Sequence, residues 1–474
     1  MYSSKLIHIL RTFSSKELKD FELYIRSPLF NRNKSVLNLL SILKKHHPEL
    51  TDNSLSYENT AHKLFGSADI RKLRYVMTDL TKLAEQFMAL LIHLKAPEKN
   101  RLQAYQERSL DKFFQQELKK QEELLTVSPI RDDSHYQFMQ ELNELSFKFT
   151  LEHDNRNIDT TLQSLVDHLD LYYLTRKLKY SAEIINRMNI LNVQYDIKLL
   201  ENLLEFLHEH PFDDAPQILV YQQILKTLQQ PEKRSNYEHL KVLITTHLTA
   251  FNRDDQYDLF GYLQNYCIKQ INSGNIDYLN ELFDNYNTMI EREVVIKNGT
   301  IAQFDFKNMV TVALRVEQYE WTAKFIDNYQ HHLPEEQRIN AVTYNKARLY
   351  FYRQQYRNCL KELLTVEFTD IFYSLDSRAL LLKSYYELED FESALSLINA
   401  FKIYLKRDKK VSGYQKDTYL NFLKIVNQLT RYKLGYLKSG LPVEKMIKNT
   451  KQVADLTWIN QKFRELNLPD AQIE

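Results

Sequence analysis

Apolar residues recur at three- and four-residue spacing through most of the chain, the pattern of helices that bury one face. In the first 95 residues the punctuation between such runs is explicit. Ser14-Ser15-Lys16-Glu17 has the form of a capping box, in which the serine oxygen accepts from a first-turn N–H and the glutamate reaches back to the cap. The helix that follows is predicted to end near Arg26, because Pro28 disfavours helical backbone at Ser27. Asn31 or Asn33 then caps a helix through Lys45. A longer helix runs from about Asp69 to His93, with the stripe Ile70, Leu73, Met77, Leu80, Ala84, Phe87 and Leu91. That stripe suits a short coiled-coil seam or packing within the helix's own bundle, and its short length favours the bundle.

From 96 to 254 helices continue without a clear repeat register. Residues 166–190 carry Leu169, Leu174, Leu178, Ile184 and Ile185 on helical spacing, and Pro211 and Pro216 split the runs 197–209 and 217–229. After 255 the helices pair, and four segments align on one two-helix template. The last begins near Leu375 and contains Tyr385, Phe391, Ala394, Ile398 and Phe401; YYELEDFESALSLI spans its inter-helix turn. The unit before begins near Asn340, with Ala347, Tyr350, Tyr356, Cys359 and Leu363. Another begins near Gln303, with Ala313, Tyr319, Thr322, Ile326, Tyr329 and Pro334. The earliest begins near Phe260, with Cys267, Gly274, Ile276, Leu279, Phe283 and Tyr286.

The equivalent residues Ile276, Tyr319, Tyr356 and Phe391 are 43, 37 and 35 positions apart. The long first interval fits an insertion around Lys297-Asn298-Gly299. The next shared position, where a small residue lets the second helix approach the first, reads Leu279, Thr322, Cys359 and Ala394. The earliest unit departs from that rule. Over 255–405 this pattern resembles the tetratricopeptide repeat family. The resemblance implies an all-α fold, an α-α superhelix, whose first helices line a concave groove. Residues 1–95 then form a basic helical N-terminal domain and 406–474 cap the array, since the end of a solenoid exposes an apolar face. FELYIRSPLFNRNKSVLNLL and KLRYVMTDLTKLAEQF also resemble a bacterial family with a basic helical N-terminal module and degenerate repeats, a likeness that implies no activity.

Composition agrees with packed helices. Only 7 of 474 residues are glycine, about 1.5% against a usual value of roughly 7%, too few for many hairpins or glycine-rich loops. Net charge is +1, but its distribution is uneven. Residues 1–120 hold 21 basic and 13 acidic groups (+8), residues 121–401 hold 27 and 42 (−15), and residues 402–474 hold 15 and 7 (+8). Basic ends around an acidic middle fit a nucleic-acid contact, or ends that dock on the middle or on a neighbouring copy in a homo-oligomer. No secretory leader or long apolar run is evident, so a cytoplasmic location without membrane contact is expected.

Catalytic motifs are missing. No GxG occurs, which excludes the dinucleotide fingerprint and the phosphate-binding loop, and GxSxG and HExxH are absent. His208 and His210 lie two apart, on different faces of a helix, and Pro211 follows, so a helix end is expected there and not a metal site. His46-His47 and His331-His332 precede prolines and suit helix ends. Cys267 and Cys359 sit in apolar helical patterns, as small hydrophobes do. No enzyme activity, cofactor or metal is expected.

What remains is a binding surface for a protein or peptide. The sixth position of each first helix, which faces the groove in the family, reads Asn265, Asn308, Asn345 and Leu380, with Lys307, Tyr344, Arg348 and Lys383 nearby. Asparagines beside cations resemble the family's clamp for a carboxylate: the amides serve an extended backbone and the cations hold the acid. Alternatively the asparagines tie neighbouring helices together. A second candidate is nucleic-acid binding by Arg26, Arg32, Lys34, Lys44, Lys45, Arg71, Lys72 and Arg74.

Overall fold

The computed structural model describes residues 1, 3–50, 55–153, 161–191, 193–365, 371–408, 411–437, 441–450 and 452–467. These residues fold as helices with no strand among them. The chain divides into two compact units, one of Met1–Ser128 with Tyr136–Leu169 and one of Pro129–His135 with Asp170–Glu474.

In the first unit, α1 (Lys5–Thr12), α2 (Ser15–Arg26), α3 (Lys34–Lys44), α4 (Tyr57–Phe65) and α5 (Ile70–His93) share one core. The capping box forms as expected: Glu17 N–H donates to Ser14 Oγ at 3.2 Å, and Ser14 N–H to Glu17 Oε2 at 2.8 Å. Asn33 caps α3 and Asp69 caps α5. Leu73, Met77, Leu80, Ala84 and Phe87 are buried, together with Val76 and Leu83. The stripe of α5 is occupied by α1, α2, α3 and α4 of the same chain, so its apolar face is covered inside the bundle. A small second core joins α6 (Glu98–Glu107), α7 (Asp111–Val127) and α8 (Asp133–His153) through Leu102, Phe114 and Leu142.

The helix α9 (Thr161–Leu191) leads into the second unit, which continues with α10 (Leu200–Glu209), α11 (Pro216–Gln229) and α12 (Arg234–His247). Proline at the start of α11 costs nothing, because a first-turn N–H has no partner in the helix. Then come four helix pairs: α13 (Arg253–Asn272) with α14 (Tyr278–Glu291), α15 (Gln303–Arg315) with α16 (Tyr319–Tyr329), α17 (Glu335–Tyr352) with α18 (Tyr356–Leu364), and α19 (Ile371–Glu387) with α20 (Phe391–Arg407). The chain ends in α21 (Gly413–Lys433), α22 (Leu441–Asn449) and α23 (Leu456–Asn467). From α11 onward each helix packs on its sequence neighbour, and α17 also packs on α15 and α19, the first helices on either side of it. This is an all-α superhelical arrangement around one continuous core.

One backbone device recurs in all four pairs. The residue two places before the shared aromatic position has positive φ: Gly274 (99°), Glu317 (60°), Gln354 (58°) and Glu389 (58°). The next N–H reaches back five residues: Asn275 to Gln270 at 3.0 Å, Gln318 to Ala313 at 2.8 Å, Gln355 to Tyr350 at 2.8 Å and Asp390 to Tyr385 at 3.0 Å. That bond closes the C-terminus of each first helix and sends the chain back along it. Behind the turn Thr322, Cys359 and Ala394 are fully buried. In the earliest pair Ile276 is 64% exposed, and Tyr278 and Leu279 are buried instead. The larger Leu279 occupies the place of the small residue, and the aromatic packing moves two positions along. The insertion before α15 is a tight turn. Lys297 and Thr300 bond to each other at 2.8 and 2.9 Å, while Val294, Val295 and Ile301 turn into the core.

Candidate binding surface

The seven residues singled out in the sequence lie on α13, α15, α17 and α19, and the structure brings only some of them together. Lys307, Tyr344 and Arg348 form one cluster. The Lys307 ammonium lies over the Tyr344 ring at 5.4 Å and the Tyr373 ring at 5.5 Å, and pairs with Asp376. Arg348 lies over Tyr344 at 5.7 Å and donates to Thr311 Oγ1. Asp376 also accepts from the Tyr419 hydroxyl on α21. Burial pushes the Tyr344 phenol well above its ordinary pKa, and burial together with the Asp376 charge does the same at Tyr419. Both stay protonated, and Tyr419 donates to Asp376.

Lys383 belongs to a neighbouring group. It is only 9% exposed, lies over the Phe351 ring at 4.6 Å and pairs with Asp455 just before α23. Burial alone would raise the Asp455 carboxyl. The charge and hydrogen bond of Lys383, the Trp458 N–H and the field of Arg348 outweigh it, and the net shift is downward. Arg348 therefore acts on both carboxylates, Asp376 and Asp455.

The asparagines do not share one environment. The Asn265 amide donates to Asn186 Oδ1 at 3.3 Å, a tie between α13 and α9. Asn308 is exposed. Asn345 is fully buried, with its amide on the Ala341 carbonyl at 2.8 Å and its Oδ1 without a partner among the described residues. Leu380 is buried.

Sequence reasoning missed Asp376, Tyr419 and Asp455. A signal for the first existed. Asp376, Leu380 and Lys383 stand at i, i+4 and i+7, which puts them on one helix face. A face recognised by its lysine should have been searched for its acid. Asp455 had no such signal, because it reaches Lys383 from 72 residues away.

Elsewhere, Asp132, Asp133 and Asp255 bring carboxylate oxygens within 4.8 Å of one another. The Lys179 ammonium stands 2.6 Å from Asp255 and 3.8 Å from Asp133, and the Asn252 amide donates to Asp132 at 2.8 Å. A lysine already occupies the position of a cation there. In the first unit, Arg26 and Lys44 share Glu22, Lys72 lies over Phe65 at 4.6 Å, and Arg74 over Tyr57 at 5.4 Å. The two cysteines are buried, with Cys267 beside the Tyr237 hydroxyl at 3.2 Å and Cys359 beside Ser384 at 3.3 Å. Burial pushes both thiols up to about 11, the opposite of a reactive thiolate. No helix among the described residues is long and apolar enough to cross a membrane.

Comparison with protein-family models, curated proteins and solved structures returned no match.

Proposed function

We propose that the chain is a non-enzymatic scaffold in the cytoplasm that binds a protein or peptide along the inner face of a tetratricopeptide-like array. The observation that carries this reading is the face built by α15, α17 and α19. It gathers Lys307, Arg348 and Lys383 over aromatic rings and, among the described residues, holds two carboxylates against them, Asp376 and Asp455. The surplus positive charge favours a segment that brings a carboxylate. Such a segment is directed at Arg348, because the hydrogen-bond partners of that guanidinium, the Thr311 and Tyr352 hydroxyls, are neutral. Asn308, exposed on α15, is placed to serve the segment's backbone.

The test separates binding from folding. Full-length protein is used as bait in a lysate of its host, beside Asn308→Ala and Asn308→Ala/Arg348→Ala, and captured proteins are quantified by mass spectrometry. The reading expects one or more proteins retained by the native chain and lost from the single variant at unchanged melting temperature. Identical capture by native and folded variants contradicts it. Arg348→Ala alone is a poorer probe, because it also removes the bond to Thr311 that joins α17 to α15.

Nucleic-acid binding by the first unit is the weaker reading. Four of its candidate cations, Arg26, Lys44, Lys72 and Arg74, already face Glu22 or an aromatic ring. A salt titration with generic duplex DNA tests it, and absence of binding at low salt removes it.

A further inference from the structure

The ion pair between Lys307 and Asp376 has an unusual reach. Lys307 belongs to α15 and Asp376 to α19, and α17 packs against both. The lysine crosses over α17 to make the bond, with its ammonium above the Tyr344 ring. The second oxygen of the same carboxylate accepts from Tyr419 of α21. One side chain therefore ties α15, α19 and α21 together, while α17 lies beneath the tie. Among the described residues, α15 packs on α17 and α17 on α19.

We propose that Asp376 is a latch: its bonds to Lys307 and Tyr419 hold the inner face of the array closed across α17, and releasing them opens it. Water reaches the pair, since the Lys307 and Asp376 side chains are 21% and 28% exposed, so the bond can break without unpacking the core. The pair of Lys462 with Glu387, at 9% and 11%, contrasts with it in being buried. Opening the latch uncovers Tyr344 and frees Lys307 beside Arg348. A carboxylate-bearing segment would then find two cations where the closed face offers one. The latch is independent of the proposed binding role, but it gives that role a gate.

The test uses the full chain with spin labels at two exposed positions, Arg315→Cys on α15 and Lys424→Cys on α21, and measures their separation by double electron–electron resonance. Asp376→Asn and Lys307→Met are expected to lengthen and broaden the distance by about 2 Å or more, the scale of a helix shift at a packed interface. Asp376→Glu keeps a carboxylate and is expected to hold the distance nearer its native value. Circular dichroism checks that helicity is retained. An unchanged distance in both folded loss-of-charge variants overturns the latch, and should Asp376→Asn not fold, Lys307→Met alone decides. Binding of a fluorescein-labelled decaglutamate peptide is read on the same proteins. If the distance lengthens and the peptide binds more tightly, latch and binding role both stand. If it lengthens while the peptide binds none of them, the latch stands and the binding role fails.

Discussion

Gln354 spends backbone energy to make a turn. A non-glycine residue at positive φ is disfavoured by roughly 1–2 kcal/mol, while glycine loses about 0.5–1 kcal/mol through its freer unfolded chain. Gln354→Gly is therefore expected to stabilise the protein by about 0.5 kcal/mol, and Glu317→Gly similarly, as read from urea unfolding midpoints. The equivalent site in the earliest pair is already Gly274, so Gly274→Ala should destabilise. Asp455 supplies a pH signature. Its folded pKa is depressed, so its contribution is fully present above the unfolded value and is lost as pH falls through the lower folded value. The melting-temperature gap between native protein and Asp455→Asn should thus be constant near neutrality and close below the ordinary aspartate value of 3.8. A gap that persists unchanged in strong acid would show that the carboxylate's charge is not what holds Lys383.

At the scale of elements, the second helix of each pair sits as close to the first as one residue permits. Ala394 is fully buried at that contact, and Ala394→Leu is expected to cost about 1–3 kcal/mol through overpacking. Leu279 fills the same place in the earliest pair, so Leu279→Ala should cost about 2–5 kcal/mol through a cavity. Thermal melts of the two variants check both signs. If Leu279→Ala were neutral, the earliest pair would pack by some other residue. Most helices were legible because their signals are local: Ser14 with Glu17, Asn33, Asp69, the prolines and the apolar stripes all act within a few residues. Ile276 does not enter the gap that the spacing of the later pairs predicts for it, because the larger Leu279 changes which side chain packs there. The face of the candidate site was half legible. Tyr344 and Arg348 stand four apart, which foretells a shared face of α17, but Lys307 joins them from α15 and the acids Asp376 and Asp455 come from later in the chain. The asparagine ladder failed to form one surface because Asn345 lies one turn from Ala341 on the buried side and bonds back to it.

At the scale of the molecule, the second unit is one long core closed at its end by α21, α22 and α23. Trp458 is buried there, stacked edge-on against Tyr386 at 5.4 Å with its indole N–H on Glu387 at 2.6 Å. Removing residues from 441 onward would bare that surface and leave Lys383 without Asp455. The truncated protein is expected to melt lower and to bind a hydrophobic dye, as an uncapped solenoid does. The uneven charge of the chain belongs to this scale too, since neither the basic ends nor the acidic middle is visible in the net value of +1. The central claim, a partner bound on the inner face, is tested most directly by hydrogen exchange on the full chain with and without its captured partner. The account predicts slowed exchange concentrated in α15, α17 and α19, with the rest of the second unit unchanged. Protection confined to residues 1–95, or none in those three helices, would contradict it.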